Sequence, residues 1–91
     1  MRVEQFKNRF GRGVCNQFII RDTNRDIFQS YNSIVAIKGI GGDVLLDKDT
    51  WDYSITTGKY RNQFLGEDKR ATEKKIKSGV YKLVALNGEG F

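Results

Sequence analysis

Apolar and polar positions along the chain predict a run of strands, then two helices, then one more strand. In "VEQFKNRF", Val3, Phe6 and Phe10 fall near one face at helical spacing and "GRG" stops the run, so a short N-terminal helix is predicted. "VCNQFIIRDTNRDIFQSY" reads as two extended runs around Asp22, Thr23, Asn24 and Arg25, a tetrad suited to a hairpin. "SIVAIKG" is a β-branched run expected as a central strand. "GIGGD" is a turn, and "VLLD" is a short strand after it. Ser54 or Thr56 can cap a helix reaching about Leu65, with Tyr60, Phe64 and Leu65 inward and Gly66 at its end. Asp68 can cap a second helix, "KRATEKKIKS", which Gly79 terminates and which offers only Ala71 and Ile76 to a core. "VYKLVAL" returns as the last strand.

That order predicts an α+β fold: a small, mainly antiparallel sheet of four to five strands with two or three short helices. The expected core is Phe18, Ile20, Ile34, Val35, Ile37, Leu45, Phe64, Leu83 and Val84, with a central strand covered on both faces. Trp51 is read as covering the start of the first long helix, with Asp52 or Ser54 meeting free N–H groups there.

Length and composition narrow this picture. The chain has 91 residues, 38% of them apolar and 12% aromatic, which makes one folded domain, with residues 86–91 expected as a flexible tail. There is no proline, so the ten glycines join Asn and Asp in making the turns. The one cysteine, Cys15, excludes an internal disulfide and fits a reducing compartment. The N-terminus lacks a signal-peptide core and no segment reaches membrane-spanning length, so a soluble cytoplasmic protein is expected. With no histidine and a single cysteine, Cys/His zinc sites and Ser–His or Cys–His nucleophile pairs are excluded. A non-enzyme without cofactor or metal is expected.

The formal charge of +5 is unevenly placed. Residues 1–12 carry four bases and one acid, residues 13–58 four bases and six acids, and residues 59–78 seven bases and three acids. Such clustering favours an anionic partner, although a lysine surplus also keeps soluble domains apart. "TGK" lacks the flanking residues of a phosphate loop, and "GIGGD" sits between strands, so neither is a nucleotide fingerprint. The stretch "WDYSITTGKYRNQFLGEDKR" combines hydroxyls at a helix start with bases one turn on and aromatic rings beside them. Its binding reading takes Thr56, Thr57, Lys59 and Arg61 together with Lys69, Arg70, Lys74 and Lys75 as one positive face for a phosphate-bearing partner. The competing reading makes these residues ordinary caps and a solvated face.

"FQSYNSIVAIK" and "WDYSITTGKYRNQFL" together resemble an uncharacterised family of small bacteriophage- and prophage-encoded proteins. The resemblance implies a phage accessory protein in bacterial cytoplasm and brings no catalytic residues. By analogy with small phage proteins it implies a counter-defence role, such as an anti-CRISPR-like inhibitor binding a host effector protein or its nucleic acid. A module binding nucleic acid or an anionic nucleotide is the alternative, and a structural or virion-assembly component is a third. Oligomeric state is not legible.

Overall fold

The first surprise of the computed structural model, which describes residues 1–87, is at the N-terminus. The segment expected as a helix is a strand, β1 (Arg2–Lys7), paired antiparallel with β2 (Gly13–Arg21) through Val3↔Ile20 and Gln5↔Phe18. An isolated helix of two turns is marginal in water, whereas a sheet edge satisfies the same backbone groups through a partner distant in sequence. Phe6 alone in β1 is buried, and Phe10, expected on the same apolar face, is 73% exposed.

The remaining elements are β3 (Arg25–Ser30), β4 (Ser33–Gly39), β5 (Val44–Asp47), α1 (Ile55–Leu65), α2 (Lys69–Lys77) and β6 (Tyr81–Val84). Among the described residues the fold is α+β with two helices, and its sheet has six strands where four to five were expected, in the order β1-β2-β3-β4-β5-β6. All neighbours are antiparallel except β5 and β6, which run parallel. A parallel pair needs a crossover longer than a hairpin, and α1 with α2 supplies it.

The helices begin and end where local chemistry dictates. Ser54 Oγ accepts from the Thr57 N–H and Asp68 accepts from the Ala71 N–H, while Gly66 closes α1 in the left-handed conformation at φ 72°. Tyr60 and Phe64 then pack on Phe6 and Phe28, with ring centroids of Phe6 and Tyr60 5.3 Å apart and those of Phe28 and Phe64 5.8 Å apart. A register shift after Phe28 turns both Val35 and Ala36 into this helix-side layer. Trp51 is half-buried against the same layer.

The other sheet face carries a smaller cluster, Ile27, Ile37 and Leu86, with Ile20, Ile34, Leu45 and Val84 partly buried around it. No helix residue joins that cluster among the described residues. Coverage by helices on one face only explains why, of the expected core, Val35 and Phe64 are buried but Phe18, Ile20, Ile34, Leu45 and Val84 are half-buried, while Ile37 is buried on the other face beside Ile27 and Leu86. Leu83, also expected inside, is 41% exposed on the edge strand β6. The expected tail is anchored at its start. Leu86 is buried, its N–H donating to Asp47 Oδ1 at 2.8 Å, and Asn87 bonds both the N–H and the carbonyl of Ile34. Residues 88–91 of that expected tail lie outside the described residues.

Candidate functional site

The outer face of α1 is set by its inner one. With Tyr60 and Phe64 turned to the sheet, Ile55, Lys59 and Gln63 follow each other at four-residue spacing on the exposed side. A hollow of about 790 Å³ lies along one flank of this row, lined by Asp52, Tyr53, Ser54, Ile55, Gly58, Lys59, Arg61, Asn62, Gln63 and Lys69. A second, of about 670 Å³, is lined by Lys7, Asn8, Arg9, Phe10, Lys59 and Gln63. Lys59 and Gln63 line both, so the two hollows meet across α1.

The second hollow owes its shape to the β1–β2 turn. Asn8 Oδ1 accepts the N–H groups of Phe10 at 2.9 Å and Arg12 at 3.1 Å, and Gly11 takes φ 78°. That turn presents Arg9 beside Phe10, with the guanidinium 4.8 Å from the ring centroid. Phe10 (73%) and Tyr53 (48%) are thus exposed rings at the outer margins of the combined surface.

The floor of the first hollow is an ion network. Arg61 Nη1 donates to Asp52 Oδ1 at 3.0 Å and to the Trp51 carbonyl at 2.7 Å, and Lys69 Nζ pairs with Asp52 Oδ2 at 2.6 Å. Burial pushes the Asp52 carboxyl upward, but the hydrogen bonds from Lys69 and Arg61 outweigh it and hold the group below its ordinary value. Its hydrogen bond with Asp52 raises the Lys69 ammonium above its usual range. Both groups are therefore charged at neutral pH. Asp52 offsets part of the positive charge at this end, leaving Lys7, Arg9 and Lys59 as the cations lining the hollows with no ion pair among the described residues.

The eight residues expected as one positive face are distributed otherwise. Lys59, Arg61 and Lys69 line the first hollow, and Thr56 is exposed at the start of α1. Thr57 is fully buried. Its Oγ1 accepts from Ser54 Oγ at 3.0 Å and lies 3.0 Å from Ser30 Oγ, so it ties the helix start to β3 rather than facing solvent. Arg61 is 1% exposed, a floor residue and not a surface one. Arg70 and Lys74 are exposed on α2 and line neither hollow. Lys75 is turned to the sheet, paired with Glu67 at 2.5 Å and 5.2 Å from the Tyr81 ring centroid. α2 therefore contributes Lys69, its first residue, and not a continuous basic stripe.

Sequence reasoning missed Lys7, Arg9, Phe10 and Tyr53 as neighbours of this face. The signal available was the basic excess in residues 1–12, but a helical reading of that segment sent Phe10 to the core. Among the described residues no group of three or more Cys, Asp or Glu side chains is placed to hold a metal ion, and no helix is long and apolar enough to cross a membrane. What the surface offers is cations, amides and two open rings along one helix.

No curated protein and no solved structure matches the chain. A family model does match, over residues 1–79, which include both hollows and every element before β6. The chain belongs to DUF8033, a family of unknown function.

Proposed function

We propose that this is a non-catalytic phage accessory protein of the bacterial cytoplasm that binds single-stranded nucleic acid along the outer face of α1, acting against a host defence. The observation that carries the reading is the pair of hollows joined at Lys59 and Gln63, with Lys7 and Arg9 on one side, Lys69 on the other and Phe10 and Tyr53 at the margins. Surfaces that take single strands combine basic groups for the backbone with rings on which bases stack. Neutralising phosphates with Lys7, Arg9 and Lys59 releases counterions. At about −0.7 per contact the slope of log affinity on log salt is about −2, close to a twenty-fold loss between about 50 and 200 mM salt.

Fluorescence anisotropy of a labelled strand of about twelve nucleotides tests this directly. The triple variant Lys7→Glu, Arg9→Glu, Lys59→Glu is expected to lose binding with its fold intact. Binding with no salt dependence, or unaltered in the triple variant, would sink the reading.

One observation favours a second reading, an anti-CRISPR-like inhibitor docked on a host effector protein. Ile55 is 94% exposed, more than Phe10 or Tyr53 on the same surface, an apolar side chain of the type that protein interfaces bury. Its basic surface is unlike the acidic mimics that fill nucleic-acid channels, so such docking uses another part of the effector. Capture from infected cells with nuclease treatment separates the two: a partner protein retained after nuclease and at moderate salt supports docking, and nucleic acid alone supports the first reading.

A further inference from the structure

Gly58 lies within α1, where alanine is the better helix former. Nothing inside the fold requires the glycine. A Cβ built there would stand 3.7 Å from Arg61 Nη1, Arg61 Nη2 and Asp52 Oδ1, an ordinary contact distance. What a methyl group would change is the floor of the first hollow, which Gly58 lines together with Asp52 and Arg61. The glycine leaves the polar edge of that ion pair open to the hollow.

The chemistry of this floor differs from that of the rest of the surface. Asp52 retains 28% side-chain exposure and is a hydrogen-bond acceptor, so it disfavours a phosphate and favours a donor. Arg61 Nε is buried with no hydrogen-bond partner among the described residues, and Tyr53 forms an exposed aromatic wall. Lys59, exposed at the same hollow and without an ion pair among the described residues, is suited to a flanking phosphate. A flat ring carried between phosphates offers such a donor in the exocyclic amino group of cytosine, adenine or guanine.

We infer that the hollow beside Gly58 is a base pocket: one nucleobase of a bound strand lies against Tyr53 and its exocyclic amino group donates to Asp52. This rests on the nucleic-acid reading above and adds base selectivity to it. Cytosine and thymine make the sharpest comparison, because the same ring position carries an amino donor in one and a carbonyl acceptor in the other.

The test measures affinities for deoxycytidine and deoxythymidine strands of about twelve nucleotides at one salt concentration. Wild type is expected to prefer deoxycytidine by about five-fold or more, the low end for one discriminating base-edge contact. In Gly58→Ala the preference should fall to near parity while the thermal midpoint holds or rises. Tyr53→Ala should weaken binding of deoxycytidine by about five-fold or more, as expected when one base loses its stacking partner. Salt-dependent binding without a cytosine preference, or a preference that survives Gly58→Ala, overturns the pocket and leaves the basic surface standing. If neither strand binds at low salt, both readings are overturned.

Discussion

The guanidinium of Arg61 is enclosed by its neighbours. Nη1 donates to the Trp51 carbonyl and to Asp52, Nη2 donates to Asn62 Oδ1 at 2.9 Å, and the guanidinium carbon lies 5.2 Å from the Trp51 ring centroid. Lys59, two residues earlier, is exposed and makes no ion pair among the described residues. In the sequence the two bases look alike. Their 200° separation on a helix was readable, but which of them faced inward depended on where Asp52 and Trp51 would lie. Replacing Arg61 with Glu places a carboxylate beside Asp52 and leaves the Trp51 carbonyl unpaired, so it should destabilise the fold by about 3–5 kcal/mol. Lys59→Glu should stay within about 0.5 kcal/mol of wild type. Urea unfolding of the two variants checks both. Equal, small losses would mean that the Arg61 guanidinium is not enclosed in solution.

α1 and α2 were legible as elements because their boundary signals are local. Ser54, Gly66, Asp68 and Gly79 each act on backbone groups a few residues away, and Gly66 and Gly79 both take positive φ. β1 was not legible, because its only buried side chain is Phe6 and its hydrogen-bond partner is the later strand β2. With one anchor in six residues there is no alternation to read, and the accidental spacing of Val3, Phe6 and Phe10 imitates a helix. The Gly66 cap also sets the turn that brings Lys69 back to Asp52. Its N–H donates to the Asn62 carbonyl at 2.8 Å, and a Cβ there would meet nothing within 4 Å. Gly66→Ala therefore acts through φ alone and should cost about 1–2 kcal/mol. Urea unfolding measures the cost, and a change under about 0.5 kcal/mol would show that the α1 end tolerates another conformation.

At the scale of the whole molecule, the mainly antiparallel α+β plan followed from the order of elements, whereas the candidate surface did not. It joins the β1–β2 turn to α1 only because the sheet order carries the first strands back beneath the helices. The same chain charge of +5 makes its carboxylates disproportionately important. Glu67 shows how they are held. Burial pushes its carboxyl upward, yet hydrogen bonds from Lys75, Thr72 and Tyr81 prevail and keep it below the ordinary range. The same balance of burial against hydrogen bonds lowers Asp47, where the Leu86 N–H is the leading donor. A carboxylate whose folded pKa is depressed contributes its full stability above the unfolded value, and that contribution is lost as pH falls through the folded one. Stability should therefore decline from about pH 4 downward, as Glu67 and Asp47 protonate and the net positive charge grows. Glu67→Gln keeps the size of the side chain but cannot titrate, so it lowers stability at neutral pH and removes this carboxylate's share of the acid sensitivity. Unfolding free energies of wild type and Glu67→Gln, measured from neutral pH into the acid range, should converge as the pH drops below the folded pKa. Curves that stay parallel throughout would show that Glu67 does not carry a native carboxylate linked to Lys75 and Tyr81.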